Sequence, residues 1–142
     1  KIVFWYDYLM SKEFKYETKV YYEDTDAGGV VYYANYLKFL ERARTEMINS
    51  FKLNNKKLLN DYKTLIIVKS INIEYKKPAI LEDKLQIYST IKSITKASFA
   101  MCQKIKKNEE LVLEADIHLV TVNPEGKPIK IPEALEENLK IN

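Results

Sequence analysis

The 142-residue sequence predicts an α+β protein in which one long helix packs on an antiparallel β-sheet. Three observations predict it. From Asn35 onward, Tyr36, Leu40, Ala43, Met47 and Phe51 recur every three or four residues, which lines one face of a helix. One segment before that helix and four after it alternate or carry β-branched runs, the mark of strands. The separators within the later group are short and turn-like, and short connections imply antiparallel neighbours because a parallel return needs a long crossover.

The apolar opening, 2–10, is too short to span a bilayer and contains Asp7, and it lacks the small-residue cleavage site of a secretory signal. Met10 stands just before S-K-E-F-K-Y-E. A single domain over 1–142 is therefore expected, with 1–9 read as a start-site extension. The first strand is Phe14 to Tyr22, where Phe14, Tyr16, Thr18, Val20 and Tyr22 alternate with Lys15, Glu17, Lys19 and Tyr21. Asn35 is the expected helix N-cap. Glu41 with Arg44 and Arg42 with Glu46 sit at helical neighbour spacings and are expected on the wetter sides. The helix should end near Asn54-Asn55, ahead of a short helical turn around Lys57 to Tyr62. Strands follow at Leu65 to Tyr75, Lys84 to Ile94, Ala97 to Lys106 and Leu111 to Val122, as a four-strand meander. Pro132 opens a short amphipathic tail ending near Leu139.

With 46% hydrophobic and 30% charged residues, the composition is that of an ordinary soluble domain. A chain of about 150 residues buries about 70% of its unfolded surface, so no disulfide or metal is needed as a staple. Cys102 is the single cysteine and His118 the single histidine, which removes the commonest zinc sets and points to a reducing, cytoplasmic setting. The net charge is only +3 and the lysines are interleaved with acids, which argues against a nucleic-acid partner.

The stretch Tyr21 to Arg44, Y-Y-E-D-T-D-A-G-G-V-V-Y-Y-A-N-Y-L-K-F-L-E-R-A-R, holds the chemistry. Two of the three glycines, Gly28 and Gly29, fall here, where backbone shapes that other residues resist can be built. Asp24 and Asp26 are two apart, so an extended backbone would point both carboxylates one way, and like charges that close raise the pKa of one of them. Such a carboxylate can activate water or attack an electrophile. Backbone N–H groups that follow Gly28-Gly29 and open the helix at Tyr33 to Asn35 lack intrahelical acceptors, and could polarise a carbonyl. Carboxylate plus donors suffices for hydrolysis without metal or cofactor. Taken singly, an acidic strand end is a solvated turn and Gly-Gly a tight turn. A calcium loop starting at Asp24 fails because its twelfth position is Asn35. His118 and Cys102 are read as structural strand residues.

From Val20 to Met47 this sequence resembles the hotdog-fold acyl-CoA thioesterases, in the branch of the 4-hydroxybenzoyl-CoA thioesterases and the Tol-Pal-associated (YbgC-like) enzymes. The later I-N-I-E-Y-K-K-P-A with L-E-D-K-L carries the likeness on. The resemblance implies a long central helix on a curved antiparallel sheet, with Asp26, the second aspartate of E-D-T-D, as the catalytic carboxylate. It places the thioester carbonyl against the backbone N–H of Tyr33, where Gly28 and Gly29 shape the approach. It also implies a homodimer or homotetramer with active sites at the subunit interface. The substrate expected is acyl-CoA, with acyl-carrier-protein thioesters a further candidate. Tol-Pal-associated members commonly carry histidine where Tyr33 stands; a phenol does not accept a proton near neutral pH as imidazole does. Some distant members use a glutamate on the central helix; with Asp26 in place, Glu41 is read as structural. The lysines Lys69, Lys76, Lys77, Lys104, Lys106 and Lys107 carry no assignment to CoA phosphates. A non-catalytic acyl-CoA binding module and a dehydratase are the competing readings, the latter weakened by having only His118 to offer as its histidine.

Overall fold

Alternation along the strands decides which way this sheet faces. Leu85, Ile87 and Ser89, then Phe99, Met101, Gln103 and Ile105, then Leu113, Ala115, Ile117 and Leu119 are all buried, while Tyr88, Thr90, Lys104, Glu114 and Asp116 line the opposite face. In a computed structural model that describes residues 12–141, these residues belong to five antiparallel strands. The strands are β1 (Phe14–Lys19), β2 (Leu65–Tyr75), β3 (Lys84–Ile94), β4 (Ser98–Lys107) and β5 (Glu110–Val122), in spatial order β1-β3-β4-β5-β2. Register shifts at Val68/Ser70, Ile91/Ser93 and Ile105/Lys106 mark bulges, which bend strands and curve the sheet.

The helix α1 (Tyr36–Ser50) buries Tyr36, Phe39, Leu40, Ala43, Met47 and Ile48 against the sheet and lies closest to β3 and β1. It is followed by α2 (Asn55–Tyr62), whose N-cap Asn54 accepts the Lys57 N–H at 2.7 Å. Near the end of the chain, α3 (Glu133–Ile141) adds Leu135 and Leu139 to the core.

Periodicity placed the helix and the later strands to within a few residues, but two local expectations fail and a third is not reached by the structure. The 1–9 segment lies outside the described residues. The first strand stops at Lys19, because Tyr22–Asp24 winds into a 3-10 turn. Asn35 makes no side-chain cap; its Nδ2 donates instead to the Asp24 carbonyl at 3.0 Å.

The meander also holds only for β3, β4 and β5. The chain between β2 and β3 runs from Lys76 to Asp83, and eight residues can span roughly 26 Å, against about 14 Å across three strand spacings. This connection passes by the front of α1, leaving β2 at the far edge beside β5. What holds it there builds the candidate site.

Candidate active site

A tight loop sits between β1 and α1. Thr25 and Val31 form an antiparallel bridge, the Asp26 N–H donates to the Val30 carbonyl at 2.9 Å, and Gly29 N–H returns to the Asp26 carbonyl at 3.0 Å. Gly29 has φ +81°, a conformation that costs a side chain roughly 1 kcal/mol or more. Gly28 is needed for closeness instead. Its N–H donates to Asp26 Oδ1 at 2.8 Å, and a Cβ there would stand 3.3 Å from that oxygen. Asp26 is exposed, and its Oδ2 has no hydrogen-bond partner among the described residues.

Asp24 and Asp26 do not act as a pair. The 3-10 turn replaces the extended backbone that would have aligned them. Asp24 is buried, and its Oδ2 accepts the Tyr21 N–H at 2.9 Å while its carbonyl accepts the Tyr32 N–H at 3.0 Å. Asp24 therefore holds the loop, while Asp26 stays exposed.

Past the loop, Tyr33–Asn35 forms a 3-10 turn that runs into α1, and its first internal donor is Asn35 N–H, bonded to the Tyr32 carbonyl at 2.8 Å. The N–H groups of Tyr33 and Ala34 precede that bond, so they are the open donors of the helix start. The Tyr33 ring is exposed and lies 4.9 Å from Tyr32 and 6.4 Å edge-on from Tyr75. Tyr33's hydroxyl, hydrogen-bonded to Tyr32, holds the Tyr32 phenol above its ordinary value.

The clamp behind this front comes from residues that the sequence did not reveal as site residues. Tyr36 is buried, and its phenol oxygen accepts the Ala79 N–H at 3.0 Å; the Ala79 carbonyl accepts the Val31 N–H at 2.9 Å. Ala79, itself fully buried, thus ties the loop to the first turn of α1. Burial pushes the Tyr36 phenol above its ordinary pKa. Asp83 fixes the other end of this connection, accepting Ile80 N–H at 2.8 Å and Lys107 Nζ at 2.7 Å. Tyr75 Oη reaches the Tyr33 carbonyl at 3.3 Å. Val31, Tyr33, Tyr36, Tyr75 and Pro78 line an aromatic cavity of about 330 Å³, with Lys76 and Lys77 at its border. The signal in the sequence was the pairing of Y-K-K-P-A with L-E-D, whose separation from Tyr36 hides the contact.

The remaining singled-out residues lie elsewhere. His118 faces outward between Ser70 and Ala100. Cys102, half-buried on the same face, has its thiol pushed up by burial and by Glu114. Glu41 accepts the Thr45 hydroxyl on the exposed side of α1. Arg44 departs from expectation. It leans inward, donating Nη1 to Gln103 Oε1 at 3.1 Å. Lys77, Lys76 and Lys107 pair with Glu110, Glu74 and Asp83.

A five-stranded curved sheet in this strand order, wrapped on one long helix, is a hotdog fold, and the chain belongs to the thioesterase-like superfamily, whose family model matches residues 20–139. Among particular relatives, it is 39% identical over 129 residues to the acyl-CoA thioester hydrolase YbgC of Escherichia coli O6:H1, covering 89% of this chain and 96% of that one. The acyl-CoA thioesterase YbgC of Helicobacter pylori 26695 is 37% identical over 131 residues, 85% of this chain and 96% of its own. Among solved structures, a probable thioesterase from Bartonella henselae superposes with a TM-score of 0.83 at 32% identity, over 85% of this chain and 100% of that one. A 1,4-dihydroxy-2-naphthoyl-CoA thioesterase from Synechocystis gives 0.83 at 26% identity, over 90% and 96%.

Proposed function

We propose that this protein hydrolyses the thioester of acyl-CoA to the free acid and the thiol, with Asp26 as the catalytic carboxylate and the Tyr33 N–H as the first donor to the carbonyl oxygen. The observation that carries the reading is the Asp26 loop itself, in which one carboxylate oxygen accepts Gly28 N–H, the other has no hydrogen-bond partner among the described residues, and the chain leads on into the helix start at Tyr33. The names of the relatives point to the same reaction class. In this reading the carbonyl oxygen rests on the donors, where growing negative charge also meets the helix dipole. Asp26 either takes the proton of an attacking water and passes it to the departing thiolate, or attacks directly to form an acyl anhydride. A water then cleaves the anhydride, releasing the acid, restoring the carboxylate and giving its other proton to the thiolate; in both routes the C–S bond breaks and the products are the acid and the thiol. Gly28 and Gly29 leave room for the thioester to lie between carboxylate and helix.

The same phosphopantetheine thioester is presented by acyl-carrier protein, which is the second candidate donor. With its single cysteine unpaired, the protein suits the reducing cytoplasm. We place the working form as a homodimer, or a tetramer of such dimers, with sites at the interface. Supporting this, β2 has a strand partner on one side only among the described residues, and Leu65, Ile67 and Val68 are exposed along it.

The test is free-thiol release from short, long and aromatic acyl-CoAs and from acyl-carrier protein. Turnover of at least one of them is expected. Tight acyl-CoA binding with no release of thiol from any donor would replace the hydrolase with the binding module.

A further inference from the structure

The proposed hydrolysis needs two groups at a fixed separation and angle: the Asp26 carboxylate, on the loop before α1, and the Tyr33 N–H, at the start of the helical turn. A misplacement of about 1 Å in such a pair costs up to roughly a hundredfold in rate. One residue bonds to both sides of that gap. The Asn35 backbone N–H donates to the Tyr32 carbonyl at 2.8 Å, and that carbonyl belongs to the same planar peptide as the Tyr33 N–H. The Asn35 side chain donates through Nδ2 to the Asp24 carbonyl at 3.0 Å, two residues before Asp26.

A polar side chain at a helix start ordinarily turns its oxygen onto the N–H groups of the first turn, which would take up the donors there. Neither Asn35 nor Tyr32 makes such a cap. A carbonyl oxygen only accepts, so the Asn35 amide presents its nitrogen to Asp24 and reaches back to the loop instead. The same Asp24 carbonyl accepts the Tyr32 N–H at 3.0 Å. One hydrogen bond alone would let loop and helix start swing about it. Two that converge on one oxygen, from the residues on either side of the Tyr33–Ala34 pair, fix the angle as well. Tyr75 Oη meets the Tyr33 carbonyl at 3.3 Å, but that contact acts on the next peptide, which carries the Ala34 N–H.

We propose that Asn35 is a positioning residue of the thioester site, whose side chain sets the angle between the donor peptide and the carboxylate loop without touching the substrate. The inference rests on the hydrolase reading above and names the part that aligns its two halves.

Asn35→Ala tests it. The variant removes the side-chain bond but leaves the Asp24 carbonyl its Tyr32 N–H, so circular dichroism should show a Tm close to that of wild type. In thiol release, kcat should fall about ten- to a hundredfold. Two unreactive CoA ligands separate positioning from mere support: a ketone in which CH2 replaces the sulfur keeps the carbonyl, and a thioether in which CH2 replaces the carbonyl lacks it. Wild type should bind the ketone roughly five- to tenfold more tightly, as one well-aligned hydrogen bond gives. Asn35→Ala should bind both alike, at the wild-type affinity for the thioether. An undiminished kcat, a ketone preference that survives, or an equal weakening of both ligands overturns the proposal. Should Asn35→Ala not fold, Asn35→Asp, of the same size with no N–H to donate, is held to the same criteria. A wild type that releases no thiol overturns the hydrolase reading, and one without the ketone preference overturns the Tyr33 donor, each taking this inference with it. A wild type that shows both while the variant matches it overturns only the role of Asn35.

Discussion

Tyr36→Phe removes one oxygen and leaves the ring in place. The phenol oxygen is the acceptor of the Ala79 N–H, and Tyr36 and Ala79 are 3% and 0% exposed, so water does not replace it. Leaving a buried donor unmade costs about 1 to 3 kcal/mol. For a chain of this size that corresponds to a fall in Tm of roughly 3 to 10 °C, measured by circular dichroism. The consequence extends to the site, because the same Ala79 accepts the Val31 N–H that holds the Asp26 loop closed. Thiol release should therefore weaken with a raised KM. A second readout is pH. A phenol whose folded pKa is raised is still protonated when the unfolded one, near 10.0, has lost its proton. The contribution is complete below pH 10 and is lost as pH rises through the folded value. Wild type should therefore lose stability above pH 10 more steeply than Tyr36→Phe. An unchanged Tm with parallel alkaline limbs would refute the clamp.

Tyr33→Phe should keep most activity, since the proposed contribution is the backbone N–H; a loss as deep as that of Asp26→Asn in thiol release would show that the phenol takes part. Gly28→Ala should lower kcat roughly tenfold or more with little change in Tm, because the new Cβ, 3.3 Å from Asp26 Oδ1, displaces the carboxylate. Gln103→Leu should cost about 2 to 4 kcal/mol in chemical denaturation, since it strips Arg44, the Leu40 carbonyl and Ser89 of their common partner.

Local patterns were legible in the sequence and long-range ones were not. The helix showed in the spacing of Tyr36, Leu40, Ala43 and Met47, and β3 to β5 in their alternation, because burial on one face imposes both periods. The loop from Asp26 to Tyr33 was readable because it closes within a few residues, so composition alone marked it. The clamp was not, since Tyr36 and Ala79 meet only after the chain has made β2 and turned back. Nor was the edge position of β2, because a proline-containing separator looks the same whether it makes a hairpin or crosses a sheet. Arg44 was placed on a wet side by its type, and only the buried Gln103 on β4 reveals why it turns inward. Asp24 was misread for a smaller reason: a 3-10 turn at Tyr22–Asp24 rotates it away from the two-residue alternation that its spacing suggested.

The most direct measurement compares wild type with Asp26→Asn on the best acyl-CoA, following thiol release and acyl-CoA binding on the same samples. The account predicts a rate lower by about two to four orders of magnitude with binding essentially intact, as removal of a reacting carboxylate should give. A variant that keeps wild-type turnover would contradict it, because the chemistry would then belong to another group than the one this loop presents.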